Sequence, residues 1–86
     1  MNFTREQLET IEEMGKLFYQ PREIAIVIGV DDAEFETIIL SGTTEAFSSY
    51  KRGWLDSDIK LRKSTLQAAL NGSTPSLQTM ENYKRK

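Results

Sequence analysis

Apolar residues recur at intervals of three to four positions along most of the sequence, which is the period of an amphipathic helix. No stretch alternates between apolar and polar residues in the manner of a β-strand. The pattern predicts a first helix over about residues 5–18. Thr4 and Gln7 have the spacing of a capping box at its start, and Phe3 and Leu8 are placed to form a hydrophobic staple across the cap.

Two shorter helices are predicted in the next segment of the chain. Pro21 suits the first position of a helix because its missing amide donor would have no partner there, and Gly29 is typical of the residue that ends one. Asp31 is a suitable N-cap for the following helix, which Gly42 ends. This order predicts a helix-turn-helix over about residues 21–41.

A long helix is predicted over about residues 44–71, with Thr43 or Thr44 as its N-cap. No single stripe of helical period holds all its apolar residues, but two adjacent stripes do: Phe47, Tyr50, Trp54, Leu55, Ile59, Leu61, Leu66, Ala69 and Leu70. We therefore expect this helix to touch two neighbours, its own domain and a second partner. Gly53 inside it indicates a kink or a close crossing with another helix. A C-terminal helix is predicted over about residues 74–84.

The helix-turn-helix interpretation depends on the residues that such a motif needs where its two helices cross. Ala25 is a small residue at the expected crossing point, and Gly29 permits a turn four residues later. Apolar residues flank the turn and recur in the second helix: Ile24, Ile28, Val30, Phe35 and Ile38. Two packed helices that bind no nucleic acid satisfy the same pattern, because the pattern reports geometry and not the ligand.

We expect an all-α fold: a small bundle of four to five helices containing the helix-turn-helix, with one long helix after it. Eighty-six residues form a single domain, 1–86, since they leave no room for a second independent core. The sequence has no cysteine and no histidine, which excludes disulfides, thiolate nucleophiles, histidine bases and Cys/His zinc sites. We therefore expect a protein that is not an enzyme, with no catalytic residues, no metal site and no cofactor.

Charge is unevenly distributed along the chain. Residues 1–45 carry three basic and ten acidic residues, a net charge of −7, whereas residues 46–86 carry eight basic and three acidic residues, a net charge of +5. Such a chain can present one acidic and one basic surface and could stack head-to-tail on copies of itself. The alternative is that solvated helix faces simply differ in the sign of their charge. The longest apolar run, over residues 24–30, is too short to cross a bilayer, and no signal peptide is evident, so a cytoplasmic protein without a membrane partner is expected.

The exposed side of the predicted recognition helix is acidic, with four carboxylates from Asp31 to Glu36, and carboxylates oppose binding to phosphates. Other residues are the candidates for contact with double-stranded DNA: Arg22, Thr37, Thr43, Lys51 and Arg52 first, and Lys60, Arg62 and Lys63 second. A solvated helix face is the alternative role for the last three. Trp54, Leu55 and Ile59 are the candidates for a subunit interface, because burying large apolar side chains is the larger energetic term.

Two segments of the sequence, REIAIVIGVDDAEFETII and FSSYKRGWLDSDIKLRKSTLQAALNGSTPSLQTMENY, resemble the helix-turn-helix and following helices of phage terminase small-subunit-like proteins. Those proteins show motifs of the type E-I-A-x-x-L-G, Y-x-(K/R)-G, L-R-(K/R) and A-x-x-G-(N/S). The matching positions here are Glu23 to Ala25 with Ile28-Gly29, Tyr50 to Gly53, Leu61 to Lys63, and Ala69 to Ser73. The resemblance covers about residues 21–83.

The resemblance implies a DNA-binding, non-catalytic component of phage or prophage genome packaging. Such proteins assemble into homo-oligomeric rings in the host-cell cytoplasm and work with a large terminase subunit that carries the catalytic activities. Two other functions stay open. One is an oligomerising structural or protein-interaction adaptor that uses the helix-turn-helix as a packing scaffold. The other is a helix-turn-helix transcriptional regulator, which would bind spaced half-sites as a two-fold dimer.

Overall fold

The computed structural model describes residues 1–71, and all regular structure in that part of the chain is helical. The elements are α1 (Arg5–Lys16), α2 (Pro21–Ile28), α3 (Asp32–Ser41) and α4 (Glu45–Leu70). The expected all-α bundle, with a long helix after two short ones, is therefore confirmed. The helix predicted over residues 74–84 lies outside the described residues.

The capping box predicted at the start of α1 is present. The Thr4 hydroxyl oxygen accepts from the Gln7 amide at 3.1 Å, and the Gln7 side-chain oxygen accepts from the Thr4 amide at 2.8 Å. The helix ends at Lys16, two residues earlier than predicted, because the chain turns at Phe18. This residue has a left-handed backbone conformation with φ of 61°, which breaks the helical path and turns its ring toward α4.

A turn of three residues joins α2 to α3. Gly29 takes the left-handed conformation, with φ of 79°, that lets α2 end and the chain change direction at little cost. Asp31 then caps α3 as predicted, since its carboxylate accepts from the Glu34 amide at 2.8 Å. Ala25 is fully buried, as the small residue at the crossing should be. Residues 21–41 thus form the two short helices and the tight turn that the sequence predicts.

The core lies where α2 and α3 meet the middle of α1 and the first turn of α4. Its buried members are Ile11, Ile24, Ala25, Phe35, Ile39 and Ala46. The Phe3 ring packs edge-on against the Phe35 ring, with centroids 5.7 Å apart. Besides Phe35, Ile39 is the residue of α3 that is almost fully buried. Ile38, which the sequence pattern placed in the core, is only half-buried at its edge.

Helices α1 and α4 cross closely and run in the same direction. A Cβ built on Gly15 would lie 2.6 Å from the carbonyl oxygen of Tyr50, and one built on Gly53 would collide with the carbonyl oxygen of Glu12. Gly53 therefore marks a close helix crossing, one of the two outcomes expected for it. Hydrogen is the only side chain that fits at either glycine without moving the opposite backbone.

The parallel direction of α1 and α4 leaves the last part of α4 beyond the end of α1. The carbonyl of Lys16, the last residue of α1, accepts from the Ser57 hydroxyl at 2.5 Å. Helix α4 continues from there to Leu70, and its residues 58–70, here called the outer half, extend it by about 20 Å. The helix-turn-helix lies at the other end of α4, where Ala46 joins the core.

Candidate interaction surface

One face of α4 carries four large apolar side chains that remain in contact with solvent. They are Leu55, Ile59, Leu66 and Leu70, and they are between 41% and 73% exposed. Their spacings of four, seven and four residues place them on the same side of the helix. We call these four residues the α4 stripe.

The buried residues of α4 are small instead: three lie in its first half, and the fourth, Ala69, lies near its end, three residues after Leu66. Ala46, Ser49 and Gly53 are buried against the rest of the bundle, at intervals of three and four residues. The two sets lie on roughly opposite sides of the helix, because positions two residues apart, such as Gly53 and Leu55, are separated by about 200°. Of the two contact faces expected on the long helix, one is therefore packed within the domain, and the other is apolar and exposed.

Trp54 does not share the α4 stripe with Leu55 and Ile59, the other two residues expected at an interface. Its ring packs edge-on against Phe18, with centroids 5.3 Å apart, and the Lys51 ammonium lies 4.7 Å from the indole centroid. These contacts tie the turn after α1 to α4 within one chain. The exposed face is thus carried by Leu55 and Ile59, and Trp54 serves the packing of the domain.

The basic and hydroxyl residues expected to contact DNA on α2 and α3 are engaged with their own chain. The Arg22 guanidinium contacts the Glu36 carboxylate at 3.1 Å and the Asp32 carboxylate at 3.9 Å. The hydrogen bond and charge of Glu36, followed by the charge of Asp32, raise the pKa of Arg22. The Thr37 hydroxyl donates to the Ala33 carbonyl at 3.0 Å. Arg22 therefore links the two helices electrostatically.

The two threonines before α4 have different roles. The Thr44 side chain accepts from the Phe47 amide at 3.1 Å, so Thr44 is the N-cap. Thr43, the other candidate for that role, is exposed in the connection between α3 and α4. It lies at the helix-turn-helix end of the molecule, far along the chain from the basic residues of the outer half.

The basic residues of α4 do not form one surface. Arg52 contacts Glu12 of α1 at 3.0 Å, while Lys60 and Arg62 contact the carboxylates one turn before them, Asp56 and Asp58, at 3.2 and 2.9 Å. Residues 60 and 63 are neighbours three positions apart, whereas residue 62 is turned about 200° from residue 60 and about 100° from residue 63, because each step along a helix turns the side chain by about 100°. Lys63 is exposed and has no ion-pair partner within residues 1–71.

A second exposed apolar feature, which the sequence analysis did not identify, lies on the helix-turn-helix. Ile26 and Leu40 are 74% and 78% exposed. They stand one helical turn after Arg22 and Glu36, the two residues that pair across α2 and α3, and so flank that ion pair. The signal was available in the sequence, since Ile26 falls two positions from the buried Ile24 and off the helical period.

No arrangement suited to a metal ion occurs in the described part of the chain, where no three His, Cys, Asp or Glu side chains cluster. A groove of about 620 Å³ lies beside Phe3 between α1 and α4. Its two arginines are paired with glutamates of the same groove, Arg5 with Glu9 at 3.9 Å and Arg52 with Glu12 at 3.0 Å. The groove is therefore a surface between ion pairs, and its shape indicates no particular ligand.

None of the helices within residues 1–71 combines the length and the apolar character that crossing a membrane requires. Comparisons of the chain with models of protein families, with curated proteins and with solved structures find no match.

Proposed function

We propose that this protein is a non-catalytic, oligomerising adaptor that acts through protein–protein contacts, with the helix-turn-helix as a packing scaffold. The observation that carries the proposal is the α4 stripe. Isolated exposed apolar side chains are common on protein surfaces, but four large ones on one helix face are typical of a surface that a partner covers.

The electrostatics of the helix-turn-helix support a protein partner over DNA. Residues 21–42 contain one basic residue, Arg22, and five acidic residues. The single guanidinium is held between two carboxylates, so the surface that would enter a DNA groove keeps a negative charge. Phosphate neutralisation supplies most non-specific DNA affinity, and this surface offers none.

Molar mass in solution tests the proposal. Light scattering of the full chain across a concentration series should give a mass above that of the 9.9 kDa monomer, rising with concentration. Leu55→Asp and Ile59→Asp should each return the protein to a monomer, because a carboxylate would have to be buried in the contact. A monomer at every concentration, with no protein partner bound, would contradict the proposal.

Ser64→Asp is the matched control for these variants. Ser64 is exposed on the same helix but lies off the α4 stripe, so the same carboxylate should leave the molar mass unchanged. Circular dichroism should show equal helix content in all the variants, since each substituted side chain is exposed in the monomer.

We propose, as a second candidate function, that the chain binds double-stranded DNA as a component of phage or prophage genome packaging, beside a large terminase subunit. The geometry of α2, the Gly29 turn and α3 favours this candidate, because a short helix, a three-residue turn and a second helix are the parts that read a major groove. The resemblance of residues 21–83 to terminase small-subunit-like proteins points the same way.

Fluorescence anisotropy with a labelled DNA duplex tests the second candidate. Binding should weaken with salt, with a log–log slope of several units. Glu36→Gln should strengthen binding if α3 approaches the duplex, because it removes a carboxylate from that surface, whereas Glu9→Gln on the exposed side of α1 should not. Absence of affinity at low salt would exclude this function.

A further inference from the structure

Two exposed apolar surfaces within residues 1–71 lie beside groups of opposite net charge. The first, here called the HTH face, consists of Ile26 and Leu40 on either side of the cluster formed by Arg22, Asp32 and Glu36. Two carboxylates share one guanidinium there, so the HTH face has a net negative charge next to its apolar side chains. It suits a partner that presents apolar residues together with at least one cation.

The α4 stripe has that composition. Lys63 lies four residues after Ile59 and three before Leu66, so its ammonium group stands beside the apolar side chains on the same side of the helix. Residues 58–70 contain three basic residues and one acidic residue, a net charge of +2. Lys63 makes no ion pair within residues 1–71 and is available to a carboxylate of another molecule.

The two surfaces of one molecule cannot meet each other. The HTH face is at the end of α4 where Ala46 enters the core, whereas the outer half begins after Ser57 and leads away from it. A continuous helix from Glu45 to Leu70 spans about 39 Å and holds the two apart. Any contact between them joins two copies of the chain.

We propose that the outer half of α4 in one copy docks on the HTH face of a second copy, with Leu66 and Leu70 against Ile26 and Leu40, and Lys63 against the carboxylates of Asp32 and Glu36. The inference rests on the proposed oligomerising function and specifies its contact. Because the two surfaces differ, the contact is heterologous: each copy uses one surface and leaves the other free for a further copy.

Two variants that block opposite surfaces test the inference in the full chain. Leu40→Asp blocks the HTH face, and Leu66→Asp blocks the α4 stripe. Each variant alone should be a monomer, with association weakened at least about 30-fold, because a carboxylate replaces a side chain that the contact buries. When mixed, the two variants should form a one-to-one dimer by sedimentation velocity, since each retains the surface that the other has lost.

The mixture separates this inference from the function on which it rests. If Leu40→Asp associates as the unmodified chain does, and the mixture forms no dimer, the stripe pairs with a second stripe; the inference is then wrong while the adaptor function stands. If the unmodified chain is a monomer from about 10 µM to about 1 mM and only Leu66→Asp lowers its melting temperature, part of the same chain covers the stripe. That result overturns both the inference and the proposed self-association of the chain.

Charge substitutions give an independent readout of the same contact. Lys63→Glu should weaken association about fivefold and should reduce its dependence on salt, because it replaces an attraction to Asp32 and Glu36 by a repulsion. Lys60→Glu is the matched control: Lys60 is paired with Asp56 and stands about 100° around the helix from Ile59, so its reversal should change association less. Equal effects of the two substitutions would overturn the proposed arrangement.

Discussion

The two halves of α4 differ in how closely they approach another helix. Up to Ser57 the helix buries its smallest residues, Ala46, Ser49 and Gly53, and packs its backbone closely against α1. Beyond Ser57 the same helix exposes Ile59, Leu66 and Leu70, and the residue that it buries there is again a small one, Ala69. The difference shows that the closeness of approach, and not the apolar content of a face, decides which face of this helix is internal.

The inner half also supplies the polar links that hold α1 in place. Arg52 reaches Glu12, and the Ser57 hydroxyl bonds the last carbonyl of α1. Two ion pairs of the outer half, Lys60 with Asp56 and Arg62 with Asp58, are in contrast i,i+4 pairs within α4 itself, which stabilise the helix by about 0.3–0.5 kcal/mol each. Changes in the inner half should therefore affect folding, and changes in the outer half should affect association.

The largest expected effect is that of Gly53→Ala. The new Cβ collides with the Glu12 carbonyl, and because both sides of the contact are backbone, α1 and α4 must separate along their length. We expect the free energy of unfolding to fall by about 3 kcal/mol or more, as urea denaturation would measure. Ser64→Ala, an exposed site of the outer half, is the control and should change stability by less than about 0.5 kcal/mol. Equal stability of the two variants would disprove the close crossing.

Ser57→Ala should have the next largest effect. The substitution removes the hydroxyl that satisfies the Lys16 carbonyl at the end of α1, a part-buried bond that we value at about 1 kcal/mol. Thr65→Ala is the comparison in the outer half, because that hydroxyl bonds only the Leu61 carbonyl of its own helix. Urea denaturation should show a loss for Ser57→Ala and none for Thr65→Ala; a loss of similar size in both would mean that Ser57 does not anchor α1.

Leu66→Ala should change the free energy of unfolding of the monomer by less than about 0.5 kcal/mol, since its side chain is already 45% exposed. The same truncation of Phe35, which is fully buried, should cost about 3–5 kcal/mol. The free energies of unfolding of these two variants, measured at a dilution where the chain is monomeric, should show which apolar residues are packed in the domain and which are exposed. A large loss for Leu66→Ala in the monomer would place that leucine inside the domain.

The smallest expected effect is a loss of stability at alkaline pH through Tyr50 of the inner half. Burial raises the pKa of Tyr50, so the folded chain keeps the phenolic proton to a higher pH than the unfolded chain does. This contribution to stability is complete below the ordinary tyrosine pKa of about 10 and is lost as the pH rises above it. Because Tyr50→Phe also removes the hydroxyl that donates to the Tyr19 carbonyl, its melting temperature can differ at every pH, but the difference from the unmodified chain should change only in that range. A constant difference would assign the alkaline loss to other groups.

Local signals in the sequence were sufficient for most of the fold. The capping box at Thr4, the left-handed turn at Gly29 and the cap at Asp31 depend on residues within four positions of one another, and all three are present. Gly53 indicated a kink or a close crossing on the long helix, and the crossing is present. The end of α1 was missed by two residues because Phe18, which sits on the helical period, takes a left-handed conformation that its contact with Trp54 favours.

The candidate site was less accessible from sequence, because it depends on which faces meet. The basic residues expected to contact DNA are divided between α2 and several sides of α4, and most are paired with nearby carboxylates. Leu55 and Ile59 were identified as interface candidates. Both side chains are exposed in the single chain, as those of an interface are before its partner binds. Ile26 and Leu40 were missed although Ile26 falls off the helical period, since only the packing of α2 against α3 places both exposed side chains beside one ion pair.

By itself, then, the sequence determined the helices, their caps, the tight turn and the exclusion of cysteine and histidine chemistry, because each of these follows from residue type or from neighbours within about one helical turn. Only the tertiary structure decided that α1 and α4 run parallel and cross at Gly15 and Gly53, that Arg22 is held by Glu36, and that apolar surfaces of opposite charge stand at opposite ends of the molecule. Those features join residues up to 41 positions apart, and their relative placement depends on the packing of backbones and on no local pattern.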